Sequence, residues 1–130
     1  MIIEIRSQDR FDIVDVTSEV EETIPDDMEH GIYSVYVPHT TAGVIVNERE
    51  GRLLSDLENA LERLVPRDEE YDHNVIDDNA DAHLRAMFLG ESVTVPIDKG
   101  ELALGTWQSM LFVECDGPRT RRLHCTAVPA

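Results

Sequence analysis

Lysine is almost missing from this chain: Lys99 stands alone, and the rest of the 11 basic residues are arginines. Against them stand 27 acids, for a formal net charge of −16. A surface so acidic repels a duplex phosphate backbone, so nucleic acid is excluded as a partner. The acids cluster in "EVEE", "PDDMEH", "RDEEYDH" and "IDDNADAH". Dispersed, hydrated carboxylates of this density match a salt-adapted (halophilic) protein, in which ions screen self-repulsion over a few ångströms; the alternative is an acidic docking surface or ordinary acidic loops. Long apolar runs are also missing. The start, "MIIEIRSQDR", alternates charge with aliphatics, so neither a membrane span nor a signal peptide is expected, and the expected location is the cytoplasm. Two cysteines, Cys115 and Cys125, are too few for a disulfide framework; reduced, packed thiols are expected, a single cross-strand bridge being the alternative. No repeat, linker or low-complexity tract occurs, and 130 residues suit one domain spanning 1–130.

What is present alternates between strand and helix patterns. "IIEIR" and "FDIVDV" read as strands around "SQDR", followed by a helix start with Ser18 and Glu21 at capping-box spacing. "GIYSVYV" and "AGVIVNE" read as strands on either side of "PHTT". From Glu50 to Val65, Leu53, Leu54, Leu57, Leu61 and Leu64 recur at helical spacing until Pro66. A shorter helix should begin at a cap near Asp78 or Asn79 and run to Gly90. "SVTVPI", "LALG", "WQSMLFVE" and "RRLHCTAV" complete an α+β domain built on antiparallel sheet. "MLFV" is apolar on both faces, so that strand should be central, covered by a second layer or by another subunit.

Several residues depart from these patterns in ways that carry chemistry. In "VPHTTAGVIVNE", Pro38 and the small polar residues to Gly43 bend the chain sharply between two buried strands. The Thr40 and Thr41 hydroxyls and nearby backbone N–H groups could then seat an anion, or simply satisfy a tight turn, with Asn47 and Glu48 bracing the rim. Asp56 falls at the edge of the leucine stripe and His83 on a face shared with Ala80, Leu84 and Met87, where each needs a partner if it points inward. His39, His73 and His83, oriented by Asp56 and Asn79, form a set suited to proton transfer or to a divalent metal, although their spacing matches no short metal motif. Trp107 and Gln108 point to opposite faces of a regular strand, one into the core and one toward a cleft. Arg119, Arg121 and Arg122 are the one dense positive cluster, an anchor for phosphate or carboxylate, or ion-pair partners across a hairpin or interface.

Taken in order, these pieces resemble the YjbQ family, small proteins described as secondary thiamine-phosphate synthases. The resemblance rests on His39-Thr40-Thr41-Ala42 with Asn47-Glu48, then Asp56, Tyr71 with His73, and Ala82-His83. It continues through Gly100, Gly105 to Gln108, Glu114, Gly117, Arg119 and Arg121, and so spans most of the domain. After Asn47-Glu48, where many relatives have an acidic residue and then proline, this chain has Arg49-Glu50-Gly51-Arg52. The resemblance implies a two-layer antiparallel β-sandwich with two to three helices, assembled as a homotrimer with a polar cleft between subunits. It implies condensation of an aminopyrimidine diphosphate with a thiazole phosphate, releasing pyrophosphate. Catalysis would fall to His39, Asp56, His73, His83 and Gln108, and substrate contacts to Thr40, Thr41, Asn47, Glu48, Asn79, Arg119 and Arg121. A divalent ion, Mg or Zn, would sit at His39, His73 and His83. The competing expectation is a non-catalytic trimer that binds a metal or a small anion.

If the carboxylate surface is a salt adaptation, the thermal midpoint should rise as potassium chloride goes from dilute to molar. Differential scanning calorimetry across that range measures it, and a flat or falling curve would refute the adaptation.

Overall fold

The structure, a computed structural model, describes residues 1–130. Along the chain run β1 (Ile2–Arg6), β2 (Asp12–Asp15), α1 (Thr17–Glu21), β3 (His30–Tyr36), β4 (Ala42–Asn47) and α2 (Gly51–Leu64). A short 3-10 helix (Asp72–Val75), α3 (Ala80–Leu89), β5 (Ser92–Asp98), β6 (Glu101–Leu102), β7 (Ser109–Glu114) and β8 (Thr120–Pro129) follow. The strands form two antiparallel sheets, one of five strands in the order β1-β8-β3-β5-β6 and one of three in the order β2-β7-β4. The expected α+β sandwich is therefore present, with three α-helices.

Alternation along β3 and β8 sends Tyr33, Val35, Leu123 and Cys125 inward, where they meet Val44, Met110 and Phe112 from the smaller sheet. Fully burying a side chain such as Phe112 contributes about 1.5–3 kcal/mol, and this layer is the main source of cohesion. Strand β7 is buried on both faces, with Met110, Leu111, Phe112 and Val113 all at 0 % exposure. Helices of the same chain cover its outer face: Ala82 of α3 packs on Val113 and Cys115, and Leu53, Leu54 and Leu57 of α2 line a hollow with Leu111. Gly43 in β4 lets α3 come this close, because a Cβ there would lie 2.7 Å from the Gly90 carbonyl oxygen.

Local expectations hold unevenly. Helix α2 begins where expected, its Glu50 carboxylate accepting the Leu53 N–H at 2.7 Å. Of its leucine stripe, however, Leu61 is buried while Leu53 and Leu64 are exposed, and Asp56 faces solvent and not the interior. The Ser18–Glu21 capping box does not form; Asp15, just upstream, accepts both the Thr17 N–H and the Thr17 hydroxyl. Trp107 and Gln108 lie outside β7 in a turn, both exposed, with the Gln108 amide oxygen accepting the Gly105 N–H at 2.8 Å. The turn's own backbone demand thus overrides the strand alternation that would have buried Trp107. Both cysteines are free and buried in separate apolar clusters, and burial pushes the Cys115 thiol up to about 12.

Candidate functional site

Three connections cross between the sheets at one corner: Ser7–Phe11 after β1, Val37–Thr41 after β3, and Cys115–Arg119 after β7. A fully buried carboxylate, Glu114, ties them together. It accepts the Ser7 hydroxyl at 2.8 Å, the Asp116 N–H at 3.0 Å, and a two-pronged contact from Arg121 through Nε, at 2.8 Å, and Nη2. Arg121 Nη2 also donates to Thr41 Oγ1 at 2.8 Å, and the Thr41 carbonyl accepts the Cys115 N–H at 3.0 Å. Burial alone would raise the Glu114 carboxyl; the Arg121, Asp116 and Ser7 donors outweigh it and hold the group below the usual glutamate range. Gly117 is required in the last connection, because a Cβ there would lie 2.6 Å from the Asp9 carbonyl oxygen and the Ser7 hydroxyl.

Over this knot opens a wholly polar cup of about 300 Å³, walled by His39, Thr40 and Thr41, by Asn79 and His83, and by Asp116, Arg119 and Arg121. The bend at Pro38 therefore does what its sequence suggests and forms a rim. Arg121 is 4 % exposed, yet its Nη1 makes no hydrogen bond within the chain, which leaves two N–H donors available to the cup. Thr41 Oγ1, having accepted one N–H, keeps its own proton free to donate. Arg119 is held by Asp116 through Nε to the carbonyl at 2.7 Å and Nη2 to the carboxylate at 3.0 Å. Asn79 stands at the N-cap position of α3 as expected, but its side chain is drawn away to donate to Asp116 at 3.0 Å, and Asn74 accepts the Ala80 N–H instead. Since Arg119 and Arg121 are each matched by a carboxylate, the cup offers oriented donors with almost no net charge.

Two further hollows share walls with the cup. On the His83 side lies one of about 320 Å³, bounded by Tyr71, His73, Leu84 and Met87. The His73 and His83 rings meet there edge to face, 4.7 Å between centroids. The face of α3 that carries Ala80, His83, Leu84 and Met87 thus lines a hollow and not the core. On the His39 side is one of about 360 Å³ with Tyr36, Val37, Ala86 and Met87. Within the chain, no three His, Cys, Asp or Glu side chains converge at metal-holding spacing, so His39, His73 and His83 do not form one ligand set. His39 is committed elsewhere: its Nε2 accepts the Arg122 N–H at 3.0 Å. Its pKa is lowered, by burial first and by Arg121 second.

Not every residue singled out in the sequence comes to the cup. Asn47 and Glu48 lie at the far end of β4, about 17 Å along the strand from Ala42 at roughly 3.4 Å per residue. The register makes the separation explicit, Ala42 opposite Glu114 at the cup and Asn47 opposite Ser109 at the other end, next to Gln108. Asp56 is exposed on α2, whose leucines line a hollow with Asn47 and Glu48. Ion pairing, one of the two expectations for the arginine cluster, holds for Arg121 with Glu114 and Arg119 with Asp116, whereas a second ionic layer lies outside the residues that the sequence singles out. Arg10 grips the buried Asp81 through two 3.0 Å bonds, and Arg85, 2 % exposed, lies 3.8 Å from the same carboxylate. Burial would raise the Asp81 carboxyl, but the Arg10 pair and Arg85 keep it below the usual range. The layer's legible signal is an acid and an arginine four apart on one helix face, Asp81 and Arg85.

Comparison with known proteins finds the family model for UPF0047, YjbQ-like proteins, matching residues 1–130. The UPF0047 protein of Archaeoglobus fulgidus is 47% identical over 128 residues, covering 98% of this chain and 100% of that protein. Among solved structures, a YbjQ-like protein of unknown function from Sulfolobus solfataricus superimposes with a TM-score of 0.96 at 35% identity, covering 100% of this chain and 96% of the other. A hypothetical protein from Aeropyrum pernix gives 0.95 at 40% identity, covering 100% and 98%.

Replacing Glu114 by Ala should destabilise the domain by about 3–5 kcal/mol, because it strands a buried Arg121. The Glu114 value is lower in the folded chain than the ordinary ~4.3, so between the two the unfolded state binds more protons. Its contribution is then complete above the ordinary value and is lost as pH falls through the folded one. Urea denaturation at a series of acidic pH values should show this fall in the wild type and a flatter profile in Glu114→Gln.

Proposed function

Because the chain belongs to the YjbQ-like UPF0047 family, we propose that it is a small-molecule transferase resembling the secondary thiamine-phosphate synthases. It would join an aminopyrimidine diphosphate to a thiazole phosphate and release pyrophosphate. The observation that carries this reading is the juxtaposition of one polar, donor-lined cup with two partly apolar hollows on either side of it. A phosphoryl-bearing pair of reactants needs that division: donors aimed at the phosphate oxygens in the middle, and apolar walls for two organic portions flanking them. Arg121 Nη1 and the Thr41 hydroxyl are held in place by the Glu114 knot before any ligand arrives, which is the preorganisation that charge stabilisation requires. His83, shared by the cup and one hollow, is the group at the boundary where the bond from the pyrimidine's exocyclic carbon to the diphosphate oxygen would break. The pyrophosphate would leave with the electron pair as that carbon bonds to the thiazole nitrogen. As the cup carries almost no net charge, Mg or Zn would enter bound to the diphosphate and not be held by a resident histidine triad.

The same reading includes a homotrimer. Asn47, Glu48, Gln108 and Asp56 stand apart from the cup, the first three at the opposite end of the three-stranded sheet. A head-to-tail contact would bring one subunit's far end to the next subunit's cup, and such a heterologous contact closes into a trimeric ring where the rotation between neighbours is three-fold. Exposed Val75, Ile76, Met87 and Phe88, beside the hollow of His73 and His83, supply apolar surface for that contact.

The test combines an assay with a mass. Purified protein given both substrates and magnesium should release pyrophosphate only when both are present, with kcat/KM lowered about 10- to 100-fold in Thr41→Val and His83→Ala. Light scattering should return a trimer mass across micromolar concentrations. No pyrophosphate release by a protein that still binds inorganic phosphate would favour the non-catalytic anion-binding alternative, and a monomer mass would remove the between-subunit site.

A further inference from the structure

We propose that His39 is a neutral hydrogen-bond donor, locked in one tautomer by the backbone of β8, and that it neither transfers protons nor ligates a metal. The proposal rests on the reading of the cup as an anion seat and assigns the role of one of its walls. Its starting point is the ladder between β3 and β8, which ends at Tyr36 opposite His124. Two residues further along β8, the Arg122 N–H would next face Pro38, where the chain has already bent away. The His39 ring fills that place, its Nε2 accepting the Arg122 N–H at 3.0 Å. A backbone N–H can donate only to an unprotonated ring nitrogen, so the neutral ring must carry its proton at Nδ1.

Three consequences follow from that one bond. Nδ1–H makes no hydrogen bond within the chain and is not sealed from solvent, while the ring lines both the cup and the adjoining hollow. It is therefore a free donor at the mouth of the anion seat. Protonating Nε2 would set N–H against N–H and strand the Arg122 amide, which opposes a general acid–base cycle through this ring. Burial, and then the charge of Arg121, also disfavour the imidazolium, with Glu114 acting in the opposite sense and Arg122 and His124 adding to the first. A metal at Nε2 would break the same bond, and a metal at Nδ1 would have to displace the only ring proton. What remains is donation from a neutral imidazole, a role known where a ring must polarise an oxygen without surrendering its proton.

Nitrogen-15 NMR of the wild-type protein, correlating ring carbons' protons with both ring nitrogens, reads the tautomer directly. The expected result is a protonated Nδ1 and an unprotonated Nε2 at neutral pH, with the Nδ1 resonance moving when inorganic phosphate is titrated and neither nitrogen moving with zinc alone. Two substitutions separate the ring's two ends: the amide of His39→Gln reaches the Nε2 position, and that of His39→Asn the Nδ1 position. Phosphate affinity should fall about tenfold or more in His39→Gln and distinctly less in His39→Asn. A wild-type ring protonated at Nε2, a zinc-induced shift at either nitrogen, or the reverse order of the two variants would overturn the proposal while leaving phosphate binding by the cup intact. No phosphate binding by the wild type would overturn the anion seat and the donor role together.

Discussion

The buried pair of Glu114 and Arg121 is the interaction on which the rest depends. A carboxylate at 0 % exposure at the end of an apolar strand is destabilising unless its oxygens are saturated, and here Arg121, Ser7 and the Asp116 amide saturate them. Each of these donors comes from a different part of the corner where the chain passes from one sheet to the other. The electrostatic requirement of one side chain therefore sets the mutual position of three connections, and Thr41 is drawn in by the same guanidinium. The cup lies on top of this arrangement and inherits its rigidity. Beneath α3 a second ionic layer, Arg10 with Asp81 and Arg85, anchors the helix that supplies Asn79 and His83.

Pairing each arginine with a carboxylate has a chemical consequence. Arg121 and Arg119 do not act as free positive charges but as positioned N–H donors, and the threonine hydroxyl and the His39 ring add neutral ones. On the proposed reading such a site would recognise an anion by geometry more than by Coulomb attraction, which suits a chain whose net charge is −16. On the same reading the flanking hollows would extend recognition to apolar groups on two sides, while the remaining polar residues lie at the far end of β4 and β7.

Much of the site was legible because its residues violate the pattern around them. "PHTTAG" interrupts two apolar strands, and the interruption is the rim. His83 sits among Ala80, Leu84 and Met87, and they do share one face of α3, although that face borders a hollow. Asp56 misled, because a position at the edge of a leucine stripe reads as half-buried only if the stripe itself is buried, and most of α2 is exposed. Asn47, Glu48 and Gln108 share the motif order of the histidines along the chain, but a strand about 17 Å long separates its two ends whatever that order. The Asp81–Arg85 spacing is visible in the sequence, but it does not stand out from the many surface acids around it.

The sequence by itself determined the fold class, the central, doubly apolar β7 and the ends of α2 and α3, because these depend on periodicity and on turn chemistry that act over a few residues, and it pointed to the family through a resemblance carried by motifs in order along most of the chain. Only the tertiary structure decided which polar residues meet. Glu114 with Ser7 spans 107 positions, Arg121 with Thr41 spans 80, and Arg122 with His39 spans 83, and no local pattern encodes such pairs. They form because burying a polar group without a partner is so unfavourable that the chain closes only where each one finds its own.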